Sequence, residues 1–258
     1  MDYFSEMVSS YEGLTPIETH GGHLVKRDDL FSIGGVNGGK VRTCWHLAQG
    51  AKGLVTAGSR QSPQVNIVAH IAKKLNIPCR VHMPRGKLSP EALAAKKSGA
   101  KIFQHKAGYN SVIIKRARDD AADLGFMEIP FGMECKEAAE ATKHQVENIP
   151  AAAERIVISV GSGMSLAGVL HGLMEFNLKI PVLGVKVGAD PIKRLNRYAP
   201  SGWEDMVDLV DSGLDYHTHS EISILGGLPL DPVYEAKCLS FLQDNDLLWV
   251  VGIRQTAK

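Results

Sequence analysis

Short apolar runs alternate with longer amphipathic segments along most of the chain. The apolar runs are bounded by turn residues and are typical of buried strands; they are Gly53–Ala57, Cys79–Met83, Lys101–Gln104, Met127–Phe131, Arg155–Val160, Pro181–Val187 and Leu247–Val251. Apolar residues three and four positions apart predict helices between them, namely Val65–Leu75, Pro90–Ser98, Asn110–Leu124, Cys135–Asn148 and Leu166–Phe176. This alternation predicts an α/β protein with largely parallel sheets.

The same pattern predicts two domains. Residues 41–135 contain consecutive strand–helix–strand units, which favours a smaller α/β domain. The flanking stretches, 1–40 and 136–258, are expected to share a second sheet in a larger, discontinuous domain. Tyr198–Gly213, which contains Pro200 and Gly202, is expected to be the least regular part of the chain.

Composition limits the function classes. The 258 residues are 44% hydrophobic and 22% charged, which is typical of a globular protein. No run reaches the roughly 18 to 20 apolar residues of a membrane span, and the first residues lack a signal-peptide pattern, so we expect a soluble cytoplasmic protein. Its four cysteines have no C-x-x-C spacing, which predicts buried thiols and no metal site.

Charge is unevenly distributed along the chain. Residues 1–39 carry a formal net charge of −4, residues 40–118 carry +15 and residues 119–258 carry −10. Cationic helix faces in solvent, close to a cofactor anion, would explain the basic stretch. A partner with many negative charges, such as DNA, would also explain it.

Three glycine- or serine-rich turns carry candidate chemistry. The first, Ser159–Gly168, follows a predicted strand and opens a predicted helix. Successive main-chain N–H groups at a helix N-terminus form an anion site, and a phosphate fits there.

The second turn, Gly34–Gly39, is followed directly by Lys40. A lysine at a helix start lies near the positive end of the helix dipole, which favours the neutral, nucleophilic amine needed for Schiff-base chemistry. The alternative is a surface lysine behind a flexible loop.

The third turn, Thr56–Asn66, again joins a strand to a helix. Its polar side chains and free N–H groups suit a carboxylate. Alternatively, Ser62 and Pro63 are simply a helix cap and first helical residue.

Together these segments resemble one enzyme family. Val25–Phe31 with Asn37–Arg42 resembles the K-R-E-D-L…G-G-N-K-x-R-K signature of pyridoxal-phosphate enzymes of fold type II, in the branch of 1-aminocyclopropane-1-carboxylate deaminase and D-cysteine desulfhydrase. Gly161–Gly168 is similar to the G-S-G-G-T-x-A-G phosphate loop of that branch, and Leu230–Tyr234 to its L-D-P-V-Y motif. The resemblance implies a two-domain, tryptophan synthase beta-like fold with open twisted, mainly parallel sheets and flanking helices.

It also implies a cofactor, pyridoxal 5′-phosphate, and roles for particular residues. Lys40 would form the Schiff base and later shuttle protons. The residues expected to hold the phosphate are Gly161, Ser162, Gly163, Met164 and Ser165. Those expected on the substrate side are Ser59, Ser62, Gln64 and Tyr234, with Ser62 and Tyr234 joining Lys40 as catalytic residues.

The chain departs from the family pattern at three places. Pro63 stands where relatives have the asparagine that holds the cofactor ring oxygen, and Asn66 is the candidate replacement. Thr256 is the candidate for the C-terminal hydroxyl that contacts the pyridine nitrogen. The tyrosine-glycine-x-proline segment is absent, and Tyr216, His217 and His219 stand nearby.

Three functions therefore remain open. The first is a lyase that acts on an amino acid by deamination, β-elimination or decarboxylation at Cα. The resemblance implies that it works as a homodimer. The second is a decarboxylase or lyase acting on an amino acid attached to a modified pyrimidine in phage DNA, docked by the basic domain. The third is a non-catalytic, cofactor-binding relative.

Overall fold

The structure is a computed structural model that describes residues 13–59, 62–106, 109–188 and 190–252. Its strands are β1 (Ile17–His20), β2 (His23–Arg27), β3 (Ser32–Ile33), β4 (Val36–Asn37), β5 (Leu54–Ala57), β6 (Cys79–Pro84), β7 (Lys101–His105), β8 (Met127–Ile129), β9 (Arg155–Val160), β10 (Val182–Lys186), β11 (Val207–Asp211), β12 (Ile224–Leu225), β13 (Leu228–Pro229) and β14 (Asp246–Val250). Its α-helices are α1 (Gly39–Ala48), α2 (Gln64–Lys74), α3 (Pro90–Lys97), α4 (Asn110–Leu124), α5 (Lys136–Lys143), α6 (Met164–Glu175) and α7 (Ile192–Tyr198). Short 3₁₀ helices occur at Asp28–Leu30, Phe131–Met133, His144–Val146, Trp203–Asp205 and Glu235–Phe241.

The chain forms two compact units. In its described part the larger unit contains residues 13–31 and 139–252, and the smaller unit contains residues 32–138. The first boundary therefore falls after Phe31, whereas we expected it after residue 40. Lys40 and the glycine loop before it belong to the smaller unit.

A six-stranded sheet organises the larger unit, in the order β1-β2-β14-β9-β10-β11. Strands β1 and β2 form an antiparallel hairpin, and the other neighbours are parallel. Five of the six residues of β9 are buried, as expected for a central parallel strand rich in isoleucine and valine. Its carboxyl end leads directly into the turn at residue 161.

Helix α6 follows that turn and packs very closely on the preceding segment. A Cβ on Gly168 would lie 2.5 Å from Cβ of Thr142, and one on Gly172 would overlap the main-chain oxygen of Lys143. Glycine is therefore required at both positions for this close packing. The packing fixes the helix whose N-terminus faces the predicted phosphate loop.

The smaller unit is built on a four-stranded parallel sheet in the order β7-β6-β5-β8. All four residues of β5 are buried, and helix α4 packs over this strand. The contact buries Val55 and Ala57 against Ile113, Ala117 and Ala121. Helix α1, which begins just before Lys40, packs against α2.

The predicted strands and helices occur with their ends within two residues of those expected, except that α5 ends at Lys143 and continues to Val146 as a 3₁₀ helix. The expectation for Tyr198–Gly213 was wrong in part, because this segment contains β11, which pairs in parallel with β10. Of the four free cysteines, Cys44, Cys79 and Cys238 are buried and Cys135 is partly exposed. Within the described ranges, no helix is both long and apolar enough to cross a membrane.

Candidate active site

Lys40 is the second residue of helix α1 in the smaller unit. Gly38, just before the helix, has a φ of 107°, a conformation that favours glycine and places the lysine in the first helical turn. The Lys40 side chain is partly buried, and its Nζ has no hydrogen bond or ion pair with any residue that the structure describes. Because burial penalises the ammonium form, the pKa of Lys40 falls from 10.5 to about 8. A neutral amine is therefore accessible near physiological pH.

Ser59 and Ser62 lie together in the turn between β5 and α2. The main-chain N–H of Ser62 donates to the oxygen of Ser59 at 3.1 Å. Helix α2 is capped by Pro63, whose main-chain oxygen accepts from Asn66 at 3.1 Å. Neither serine hydroxyl forms a hydrogen bond within the described ranges, so both are available to a ligand.

Gln64 is buried, and its side chain joins three parts of the smaller unit. Its Nε2 donates to Oγ1 of Thr56 at 2.9 Å and to the oxygen of Pro130 at 2.7 Å, while its Oε1 accepts from the N–H of Gly132 at 2.9 Å. Both side-chain N–H groups are thus used inside the protein. Contact between Gln64 and a substrate carboxylate stays a prediction.

Asn66 is the third residue of α2, in its first turn. It is 5% exposed, and its Oδ1 has no hydrogen-bond partner among the described residues. A buried polar atom without a partner carries a desolvation cost, which a bound ligand could remove. Asn66 therefore stays a candidate for a polar contact with the cofactor.

The predicted phosphate loop, residues 161–165, occupies the turn between β9 and α6 in the larger unit. Gly163 has a φ of 86° and caps α6, whose first residue is Met164. A Cβ on Gly188 would come within 3.7 Å of the Cα of Gly161, so a larger residue would narrow the space beside the loop. Main-chain N–H groups at the positive end of a helix, bordered by glycines, suit a phosphate.

Tyr234 lies against this loop. Its hydroxyl lies close to Gly161, where a Cβ would overlap it. Burial raises the pKa of Tyr234 well above its usual range, so the phenol stays protonated. The structure thus brings Tyr234 together with the first residue of the predicted phosphate loop.

Glu235, the next residue, was not singled out from the sequence. The residue is 1% exposed, and its Oε1 accepts from the N–H of Gly252 at 2.9 Å. Burial, together with the nearby negative charge of Asp231, raises the pKa of Glu235 to about 7. A perturbed buried carboxyl is a frequent feature of functional sites. The one available signal was an acidic residue directly after the L-D-P-V-Y motif.

Other predicted features are placed less directly. Thr256 lies outside the described residues.

In the basic stretch, the lysine pairs 73–74 and 96–97 stand in the last turns of α2 and α3, where the helix dipole favours cations. Arg80 forms a two-point ion pair with Asp120 at 2.6 and 2.8 Å. Local structure therefore accounts for these charges without an anionic polymer.

Comparison with known proteins identifies the family. Residues 8–217 match the family described as "Pyridoxal-phosphate dependent enzyme", and the chain belongs to this family. Its cofactor is pyridoxal 5′-phosphate. The match covers the glycine loop before Lys40 and the loop at residues 161–165.

The relatives agree with the predicted branch. The chain is 25% identical to a Thermotoga maritima protein named "Putative 1-aminocyclopropane-1-carboxylate deaminase", over 83% of this chain and 80% of that protein. It superposes on a crystal structure of an ACC deaminase homologue with a TM-score of 0.78 and 21% identity, over 98% of this chain and 95% of the other. A threonine deaminase from T.th. gives a TM-score of 0.64 and 14% identity, over 98% and 97% of the two chains.

These findings confirm the predicted fold type II architecture, the deaminase-like branch and the cofactor. None of the three relatives is described as acting on nucleic acid, so the DNA alternative gains no support from them.

Proposed function

We propose that this protein is a pyridoxal-phosphate-dependent lyase that acts on a small free amino acid and releases ammonia. The observation that carries the proposal is the Lys40 amine, which is partly buried, lacks an ion-pair partner among the described residues and has a pKa of about 8. When bound, pyridoxal phosphate supplies an aldehyde that captures amines and a ring that withdraws electrons from Cα.

The residues of the chain fit such a cofactor. The N–H groups of residues 161–165 would hold its phosphate, because they combine a helix N-terminus with glycines that leave space. Asn66 has a buried side-chain oxygen without a partner among the described residues, so its amide would face a polar group of the ring. Rotation of the amide would present either its oxygen to a donor or its nitrogen to an acceptor on the ring. Glu235 replaces Thr256 as our candidate partner for the pyridine nitrogen, because it is a buried carboxyl close to Tyr234.

Proton transfer is assigned to Lys40. An amine with a pKa near 8 can both accept and return a proton close to neutral pH, which is the requirement for a general acid–base group. Tyr234, whose pKa is raised, would act as a hydrogen-bond donor and not as a base. The free hydroxyls of Ser59 and Ser62 would orient the substrate carboxylate.

Ammonia release is our choice among the lyase reactions because the relative at 25% identity is named as a deaminase. Elimination of a β-substituent also ends in release of ammonia and a 2-oxo acid. The same assay therefore covers both reactions.

The test begins with cofactor uptake. Purified protein incubated with pyridoxal phosphate and then freed of unbound cofactor should keep a visible imine band that small amines shift. Lys40→Ala and Lys40→Arg should lack this imine band, since alanine has no amine and arginine stays protonated and cannot form the imine. Lys97→Ala, at an exposed position on α3, is the matched control and should behave as wild type.

Turnover is then measured as ammonia and 2-oxo acid from 1-aminocyclopropane-1-carboxylate, D-cysteine, serine and threonine. Cofactor uptake without turnover of any amino acid would favour the non-catalytic alternative. Absence of cofactor uptake would overturn the proposal as a whole.

A further inference from the structure

An exposed tyrosine stands beside the predicted phosphate loop. A Cβ on Gly188 would lie 3.4 Å from Cδ2 of Tyr216 and 3.7 Å from the Cα of Gly161. Gly188 is thus bordered by the tyrosine ring and by the first glycine of the loop. Tyr216 is 42% exposed, so this residue beside Gly188 is also in contact with solvent.

A buried lysine holds the main chain that carries this ring. Lys237 is 2% exposed, and its Nζ donates to the oxygen of Asp215 at 2.8 Å and to that of Tyr216 at 3.4 Å. Burying an ammonium group is costly unless hydrogen bonds replace its water. Here the main-chain oxygens of Asp215 and Tyr216 accept these hydrogen bonds, so Lys237 holds the backbone at Tyr216 in place.

Further bonds tie the segment to the stretch that contains Tyr234. The N–H of Ser220 donates to the oxygen of Pro232 at 2.7 Å, and its Oγ donates to the oxygen of Ala236 at 3.4 Å. Lys237 itself belongs to the 3₁₀ helix Glu235–Phe241 that follows Tyr234. The ring of Tyr216, beside Gly188, and the hydroxyl of Tyr234, beside Gly161, are therefore both positioned by one short stretch of chain.

We infer that Lys237 is a positioning residue that holds the Tyr216 ring at the edge of the phosphate loop, where the ring slows release of a bound phosphate group. This inference rests on the proposed function, because it takes residues 161–165 as the site of the cofactor phosphate. It adds a role for Lys237 and a reason for an aromatic residue at position 216.

The experiment measures cofactor release without covalent attachment. In a Lys40→Ala background, pyridoxal phosphate binds only through non-covalent contacts, and its dissociation rate is measured as the loss of protein-bound cofactor on rapid desalting at set times after dilution. Lys237→Met should raise this rate about tenfold, because the Tyr216 ring is then no longer held beside the loop. Lys237→Arg, which keeps donors and charge, should restore part of the retention. Lys179→Met, at an exposed position, is the matched control and should change nothing.

Two further measurements separate positioning from general damage. Hydrogen exchange of the amides in residues 213–220 should accelerate in Lys237→Met, with exchange in β9 unchanged. Tyr216→Ala, a change at a largely exposed side chain, should raise the dissociation rate by the same factor, and the double variant should release the cofactor no faster than either single variant.

The inference is overturned if Tyr216→Ala leaves the dissociation rate unchanged, or if the effects of the two substitutions multiply. The first outcome can be read even if Lys237→Met does not fold. If the Lys40→Ala protein and the wild type both bind no pyridoxal phosphate, it is the proposed function that fails. Exchange in residues 213–220 then still decides whether Lys237 fixes the segment.

Discussion

The reactivity of Lys40 should follow a titration centred near pH 8. Partial burial without a described counter-charge lowers its pKa from 10.5 to about 8. At pH 7 a lysine with the ordinary pKa has roughly one amine in three thousand neutral, whereas a pKa of 8 leaves about one in ten neutral. The nucleophilic fraction of Lys40 is therefore about 300 times larger at neutral pH.

Competitive labelling measures this directly on the cofactor-free protein. Trace acetylation with acetic anhydride from pH 6 to pH 11, followed by peptide mass spectrometry, gives the labelled fraction of every lysine in one sample. Lys97, exposed on α3, is the internal reference. We expect half-maximal labelling of Lys40 near pH 8, well below the value of about 10.4 for lysine in model peptides.

One result would refute the reasoning. If Lys40 labels with a midpoint at pH 10 or higher, its ammonium form is adequately solvated or paired, and desolvation does not prepare it as a nucleophile. Low labelling at all pH values would instead report restricted access of the reagent. If desolvation is the main cause of the lowered pKa, inorganic phosphate added to the cofactor-free protein should shift the labelling midpoint of Lys40 by less than about half a pH unit.

Four other outcomes test the remaining structure. Glu235→Gln should stabilise the cofactor-free protein at pH 8 by about 3 kcal/mol and make its stability less dependent on pH. The pKa of Glu235 is raised to about 7, so the wild-type protein loses stability as the pH rises from about 4.5 to 7 and the carboxyl ionises in its buried site. Equal urea midpoints for the two proteins at pH 8 would contradict this. Gln64→Leu should cost about 3 kcal/mol in urea unfolding, since three hydrogen bonds are lost, while Gln104→Ala, with one exposed bond, should cost about 0.5 kcal/mol or less. Gly172→Ala should destabilise by about 1–3 kcal/mol through overlap with the Lys143 oxygen, and a gain in stability would show that α6 packs less closely than described. Light scattering should give twice the 27.9 kDa chain mass if the protein is a homodimer, and a particle of single-chain mass would end that expectation.

The strands and helices could be predicted because each carries its own periodic pattern. Arg155–Val160 is a continuous run of apolar and β-branched residues after its first position, and the structure has the strand with those bounds. Strand β11 was missed because it is an edge strand in which Asp208 and Asp211 are exposed, so its sequence resembles a polar loop. The hairpin β1–β2 was missed because three of the four residues of β1, Glu18 to His20, are polar, so this strand has no apolar run.

The candidate site was predictable only where a motif is local. The loop at residues 161–165 and Lys40 each lie in a recognisable turn. Gln64 could not be assigned from its neighbours, because its partners Pro130 and Gly132 are more than sixty positions away in the chain. Glu235 acquires its chemistry from burial, which depends on tertiary packing, so its position after the L-D-P-V-Y motif could not reveal its raised pKa.

The position of β14 has a consequence for synthesis of the protein. This strand lies between β2 and β9, so the sheet beneath the phosphate loop has a gap until residues 246–250 leave the ribosome. All strands of the smaller unit, by contrast, have emerged by residue 129. The smaller unit should therefore fold on the ribosome while the β1–β2 hairpin still lacks its neighbouring strand β14, which is encoded more than two hundred codons later. The anion-binding turn should form only near the end of translation.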